Sequence, residues 1–512
     1  MNGLVIGKEK ASLKTWSVVL GFCAVSALLV LPVVLNPFLP MIDIPNHMAR
    51  LEILANRNDP FFIRYYQFEP GAISNSTMDI FVRLSGWKGD VYALTRWSVA
   101  FYLVNFLLSA LVLYRIFWGR WSLWPLAAGL VAYSGPFFWG FQNFFIAVPF
   151  AIYTLALWIW CVKYPVIVRV LLLAVPVSLV YVMHSIAFAI VAISVGGFEI
   201  QKWLEGGLRD IVRKTLVALG LTIPFWFPVF HFLRSMGSDA RLSGKSEFGG
   251  IFSRLDAIVS ITGTPAIDLY HWVQWANLAT LLLLVLPVFM FSKFGSALRI
   301  HKSAHGILVA LMLAALLAPE WISGVWGTHI RLPFVLFLVF VSAADWPGLS
   351  RRYQIVLATT LSLALLLRVV SFDAYARLYS EETADLFTLF EALDDGVSLG
   401  NSPVSEREVQ DFQWRRHNLE KYAIIEKRAF VPDLFEGTHG VSVIREGAAY
   451  ASRQNRSQRC AGVDLGGARQ YFRKDFMLHI GQIPNEYREN PLFQPVAAND
   501  VFSLYEACRN TP

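Results

Sequence analysis

The stretch PMIDIPNHMARLEILANR, just after the first apolar run, holds the residue types that proton transfer and phosphate binding require. Pro40 and Pro45 bracket Asp43, so Asp43 falls in extended or turn backbone as the chain leaves the apolar run. Proline is favoured in a first helical turn, so a helix is expected from Pro45. In that helix Met48, Leu51 and Leu54 share one face while His47, Arg50 and Arg57 lie elsewhere. This is the pattern of an amphipathic helix lying in a membrane interface, with Asp43 beside the positive end of its dipole. A carboxylate in that position serves either as a helix cap or as a general base that orients an acceptor. His47 and Arg50 read either as contacts to lipid phosphates or as contacts to substrate. Asp79, in NSTMDIFVRL, reads as a second carboxylate or as a solvated helix residue.

Three more places bear on chemistry. His184 sits in VYVMHSIAF, where an ionisable group in apolar surroundings is costly; it either binds substrate or bonds a neighbouring helix. PEWISGVWGTHIRLP gathers Glu320, His329 and Arg331 in a short loop rich in Trp and Gly. Arg331 and His329 there are suited to holding a phosphate, or to anchoring the loop at the interface together with Trp321 and Trp326. Trp139, Gln142 and Asn143 mark another turn, most simply an aromatic belt. The sequence has no Gly-rich nucleotide loop, nucleophile elbow, HExxH or paired CxxC, and so no sign of nucleotide use.

The elements that must position these residues are membrane helices. With 55% hydrophobic and only 16% charged residues, the chain is too apolar for a set of soluble domains. Apolar runs follow one another from Trp16 to about Phe372 without strand-like alternation, so they read as helices rather than barrel strands. About eleven spans are expected, near 15–36, 97–117, 122–138, 143–162, 168–183, 185–200, 215–235, 272–292, 304–320, 332–346 and 353–371. The first run, Trp16–Leu35, follows three lysines but is long for a signal core and ends in VLNPFLP, so it reads as an uncleaved helix. The net charge of +7 does not point to nucleic acid, because Lys and Arg are scattered at helix ends.

Alternate loops come out basic: Lys8, Lys10 and Lys14; Arg115 and Arg120; Lys163 and Arg169; Lys202, Arg209, Arg213 and Lys214; Lys293, Arg299 and Lys302; Arg351 and Arg352. The positive-inside rule makes that side cytoplasmic, and an odd number of spans puts the C-terminus outside. Keeping 168–183 and 185–200 as separate helices preserves the alternation. The expected fold is thus an all-α polytopic membrane domain, residues 1–371, with a large first outer loop at 36–96, followed by an extracytoplasmic soluble α/β or α+β domain at 372–512. Cys23 and Cys161 fall in helices, whereas Cys460 and Cys508 share the tail, on the side where a disulfide between them would persist.

Five motifs carry a resemblance: IDIPNHMARLEIL, NSTMDI, WGFQNFFIAV, HSIAFAIV and HNLEKYAIIEKRAFVPDLF. Together they resemble a group of bacterial polytopic membrane proteins whose layout is similar to the C-type (GT-C) glycosyltransferases. The resemblance implies a GT-C-like membrane domain in the bacterial inner membrane and a polyprenyl-phosphate sugar donor. It also implies a glycan or lipid acceptor, with an acidic residue of the first outer loop as catalytic base, a position matched by Asp43. Many members carry two neighbouring acids where this chain has Asp43 with Asn46 and His47. No cofactor is expected, with a divalent cation left open. Phosphate contacts fall to Arg331 with His329 or Arg50, and His47, His184 and Glu320 complete the candidate substrate-binding set. A transporter or flippase, or a non-catalytic component of surface-polysaccharide assembly, is the alternative class. Mid-span charges other than His184 and internal repeats, which transporters usually show, are not seen.

The charge pattern gives a test of orientation. Reporter fusions after Lys214 and Lys302 should read as cytoplasmic, and those after Ser246 and Asn401 as external. A cytoplasmic signal after Asn401 would overturn the assignment.

Overall fold

The computed structural model describes residues 13–68, 74–205, 211–238, 246–262, 280, 298–322, 325–347, 349–401, 416–431, 434, 442–443, 475–480 and 493–507. Cys460 and Cys508 lie outside the described residues, as does nearly all of the expected 272–292 span. From the N-terminus the chain forms α1 (Leu13–Leu35), α2 (Ile44–Ala55), α3 (Pro60–Tyr65), α4 (Thr77–Ser85) and α5 (Val91–Trp118). Further helices are named by their residues. The chain divides into two units, Met1–Leu35 with Trp97–Asp373, and Asn36–Arg96 with Ala374–Pro512.

The first unit is the membrane unit. Among the described residues, six helices are long and apolar enough to cross a bilayer, or seven if a bent pair counts as one span. The expected count of about eleven is therefore not confirmed, and three departures have local causes. The run expected at 122–138 forms a 3-10 helix, Trp124–Val131, and a five-residue helix, Gly135–Trp139. Pro125 opens the first, and Pro136 follows an extended Ser134 that breaks the run. The expected 215–235 helix bends by 54° between Ile211–Gly220 and Ile223–Arg234, with Pro224 in the first turn of its second half. The runs expected at 304–320 and 332–346 give shorter helices, His305–Leu317 and Thr328–Ala343. The break expected at His184 is present, with His184 itself extended at φ −166° and ψ 126°.

Close backbone approach fixes one helix pair of this unit. A Cβ added at Gly197 would lie 2.3 Å from the Gly306 carbonyl, and one at Gly306 would lie 2.2 Å from the Gly197 carbonyl. Helices Ser185–Glu205 and His305–Leu317 meet there through small residues, as membrane helices commonly do. The Gln201 side chain completes the junction: its amide donates to the Lys302 carbonyl at 2.7 Å, and its oxygen accepts from Gly306 N at 2.7 Å.

The second unit joins the first loop to the tail. Residues 36–96, read from the sequence as a loop of the membrane domain, group with the tail, and the tie is made by specific long-range contacts. Tyr66–Gln67 pairs antiparallel with Ser442–Val443, Tyr65 stacks on Phe430 at 4.7 Å, and Arg428 bonds Asp59 at 2.6 Å. The tail contributes a four-stranded mixed sheet in the order Leu399–Asn401, Phe476–Ile480, Phe502–Ala507, Phe493–Ala498. Its first pair is parallel and the other two antiparallel. Helix Arg351–Phe390 runs on well past its expected end at 371; its 40 residues make about 60 Å, twice a hydrocarbon core.

Candidate active site

Helix α2 organises the candidate site of the second unit. Pro45 stands in its first turn and Asp43 at its N-cap, with the Asp43 carbonyl accepting from His47 N at 3.0 Å. The Asp43 carboxylate makes no capping hydrogen bond. Asp43, His47 and Arg50 follow at i, i+4 and i+7, which sets them on one stripe of the helix. The expectation of an amphipathic helix lying in the interface does not hold. Ten residues of α2, among them Asn46, His47 and Arg50, are buried, and the helix packs against α4 and the tail helix Tyr422–Lys427.

Arg50 is 1% exposed and donates through Nε to Asp79 Oδ1 at 3.0 Å. Asp79 is therefore not a solvated residue; it lies buried in the first turn of α4, where the helix dipole also favours a carboxylate. The two terminal nitrogens of Arg50, Nη1 and Nη2, are buried without a hydrogen-bond partner among the described residues. An unsatisfied buried donor costs roughly 1–3 kcal/mol, more when charged. His47 stays neutral: burial lowers its pKa well below the ordinary 6.5, and the neighbouring Arg50 charge adds to the effect.

The tail holds the entry to α2. Asn418, left-handed at φ 67°, donates through Nδ2 to the carbonyl of Ile42 at 3.1 Å, one residue before Asp43. Asparagine tolerates that backbone region better than most side chains. Around it Glu420 and Lys421 form a buried ion pair, and Arg416 grips Glu382 through two nitrogens at 2.8 and 3.2 Å. The pKa of His417 is lowered, chiefly by burial, with Glu420 opposing and Lys421 assisting. Sequence reasoning missed Glu382, Arg416, Asn418, Glu420 and Lys421 as parts of a site. The signal was the HNLEKY run, which packs four ionisable side chains into six residues.

The other candidates lie in the membrane unit and form a second cluster. The helix expected at 332 begins at Thr328, so His329 and Arg331 stand in its first turn rather than in a loop. Arg331 is buried, stacks over Phe141 at 3.7 Å and bonds the Trp326 carbonyl at 3.2 Å. His329 meets the Trp326 ring edge-on, and Phe144 lies between Arg331 and His184 at 5.5 and 5.3 Å. His184 Nδ1 accepts from Ile186 N at 3.1 Å, which caps the helix that follows. Glu320 sits at the base of the hairpin Trp321–Ile322 and Val325–Trp326, its backbone bonded to Glu247 and Gly327. The structure thus brings Asp43, His47 and Arg50 together in one unit, and His184, His329 and Arg331 in the other.

No protein-family model matches the chain, and no curated protein matches it. Solved structures do. The chain is similar in fold to ArnT. The crystal structure of ArnT from Cupriavidus metallidurans in the apo state aligns with a TM-score of 0.53 at 12% identity, over 96% of this chain and 98% of that one. The form of the same protein bound to undecaprenyl phosphate aligns at 0.54 and 10% identity, over 98% and 100%. The likeness in fold extends over nearly the whole chain, and the protein is a multi-pass membrane protein.

Two outcomes follow from the buried charges. Asp79→Ala leaves the Arg50 charge uncompensated and should cost roughly 3–5 kcal/mol, read as a lowered unfolding temperature in detergent; an unchanged midpoint would contradict the pairing. His47 and His417 both have depressed pKa values, so the unfolded chain binds protons that the folded chain refuses. Their contribution is full above about pH 6.5 and is lost as pH falls below it, by up to about 1.4 kcal/mol per unit and group. His47→Gln should flatten that decline between about pH 6.5 and 5.

Proposed function

We propose that the protein is a membrane glycosyltransferase that takes a sugar from a polyprenyl-phosphate donor and passes it to a glycan or lipid acceptor on the non-cytoplasmic side. The similarity in fold to ArnT, solved with undecaprenyl phosphate, supports the donor class. The observation that carries the reading is Arg50, a buried guanidinium with two unpartnered nitrogens, two helical turns or about 10 Å along α2 from Asp43.

In the proposed reaction the acceptor hydroxyl oxygen attacks the anomeric carbon as the bond from that carbon to the phosphate oxygen breaks, with inversion. Asp43 takes the hydroxyl proton, and the polyprenyl phosphate leaves with the electron pair. Arg50 receives the charge that develops on the phosphate. His47, held neutral, adds no competing charge beside it. A lipid-linked donor carries its own activated phosphate, which accords with a sequence lacking any nucleotide loop. Arg331 with His329 is proposed separately as a phosphate-binding element of the membrane unit, and the reading invokes no resident metal.

Asp43→Asn separates this role from a structural one. Asparagine caps helices about as well as aspartate, and the Asp43 side chain makes no cap bond, so folding should be unchanged. Loss of the base should lower transfer by roughly 10²–10⁴-fold. The readout is complementation of a surface-glycan phenotype in the native host, at matched protein level. Full complementation by Asp43→Asn would remove the base and move the transporter and assembly-component readings ahead.

A further inference from the structure

Helix Ile251–Val259 of the membrane unit is built the wrong way round for water. At 100° per residue Ile251, Leu255 and Ile258 fall within about 60° of one another, and Phe252 widens that stripe to about 120°. These four side chains, and Phe248 just before the helix, are between 46% and 81% exposed. The other described side chains of the helix are small or polar and turned inward: Ala257 is buried, and Ser253 and Arg254 are half-buried. Gly249 shows how closely the polar side packs. A Cβ there would lie 1.7 Å from Glu320 Oε1 and 2.5 Å from Ser253 Oγ, so the bare backbone makes room for the Glu320 carboxylate. A surface helix in water hides its apolar stripe and shows its polar one, and this helix does the reverse.

Both ends of the helix are fixed. At its entry Glu247 N donates to the Trp321 carbonyl at 3.1 Å and Glu320 N to the Glu247 carbonyl at 2.8 Å, which ties the chain to the Trp321–Trp326 hairpin. At its exit Gly135 N donates to the Ser260 carbonyl at 2.6 Å, and Arg368 Nη1 to the Thr262 carbonyl at 2.5 Å. Between these ties the helix packs against helix Thr328–Ala343. Nine residues make about 14 Å, under half a hydrocarbon core, so the helix does not cross the bilayer. Residues 246–250 before it are irregular backbone, which lipid does not tolerate at hydrocarbon depth. Trp321, 38% exposed in the paired hairpin, is of a residue type that gathers at headgroup level.

We propose that helix Ile251–Val259 lies in the lipid interface, with Phe248, Ile251, Phe252, Leu255 and Ile258 among the first acyl carbons and its Ser253 side toward Glu320. The occupant is lipid because the helix belongs to a unit that crosses the bilayer, whose spanning helices expose the same residue types, Leu171 and Val175 among them. The interfacial helix that the sequence suggested at α2 is assigned here instead. Its depth also sets that of its supports. Trp326 of the hairpin holds Arg331 through its carbonyl, and the Trp139 ring at the end of Gly135–Trp139 lies 4.3 Å from the Trp326 ring. The cluster of Arg331 and His329 is thereby placed near headgroup level. None of this rests on the transferase reading.

The test uses the full chain in phosphatidylcholine nanodiscs, with a fluorescent amino acid placed by amber suppression at Phe252 or, in a second variant, at Leu255. A third variant carries it at Val175, an exposed position in the middle of the spanning helix Val166–Met183. Three quenchers are compared: lipid with a nitroxide near the ester, lipid with a nitroxide near the chain end, and aqueous iodide. At Phe252 and Leu255 the shallow nitroxide should quench more than either other agent, by about twofold or more. At Val175 the deep nitroxide should dominate. Either of the first two positions carries the test if the other variant loses the unfolding temperature of the wild type. Stronger quenching by iodide puts the helix in water, and stronger quenching by the deep nitroxide puts it in the hydrocarbon. Protection from all three puts it against protein, whether a second copy or another segment of this chain. Each of these three results overturns the proposal.

Discussion

A guanidinium that is 1% exposed must find its counter-charge inside the protein, and Arg50 finds it in Asp79 at 3.0 Å. Much of the second unit follows from that requirement. Asp79 must come into reach, which sets α4 against α2. The chain before it turns sharply, with Asn75 left-handed at φ 64° and Ser76 at the N-cap of α4. One carboxylate satisfies only Nε. The two remaining nitrogens are buried and make no hydrogen bond among the described residues, which costs on the order of a few kcal/mol. A pair of charges buried for stability alone is commonly no better than a packed apolar pair. The proposed transfer reaction would give those two donors an anion to receive.

Only some of this was legible in the sequence. The class of the chain was, because lipid admits only helices or closed barrels and the apolar runs show no strand-like alternation. So was the break at His184, where a polar residue interrupts an apolar run and its ring ends up capping the next helix. The number of spans was not. Hydropathy sees that 122–138 is apolar and cannot see that Pro125, Ser134 and Pro136 divide it into a 3-10 turn and a short helix. In the same way, the apolar positions of α2 suggested a helix with one face to lipid. Tertiary packing overrode that pattern by covering the polar face with α4 and the tail.

The candidate site divides similarly. Asp43 and Arg50 could be singled out from residue type and from the prolines around them. Their companions were not, since Glu382, Arg416, Asn418, Glu420 and Lys421 stand more than 300 positions away, and charged residues read as solvated by default even where, as in HNLEKY, they cluster. Burial is what changes their meaning. Glu420 and Lys421 are adjacent in sequence, yet both are at most 3% exposed and neutralise one another.

The way Asp43 is held bears on what it can do. Its backbone is fixed from three directions: Pro45 restricts the turn that follows, His47 N bonds its carbonyl, and Asn418 holds the carbonyl of Ile42 before it. None of these uses the carboxylate. A residue whose main chain is fixed by its neighbours keeps its position set without using its side chain as a cap. That separation of support from chemistry is what a preorganised base requires, because reorientation at the moment of transfer would add to the barrier. It also makes the tail more than a cover: Asn418 reaches the residue before Asp43 across 376 positions of sequence. The geometry of the proposed base therefore depends on a segment that composition alone would assign to an independent domain.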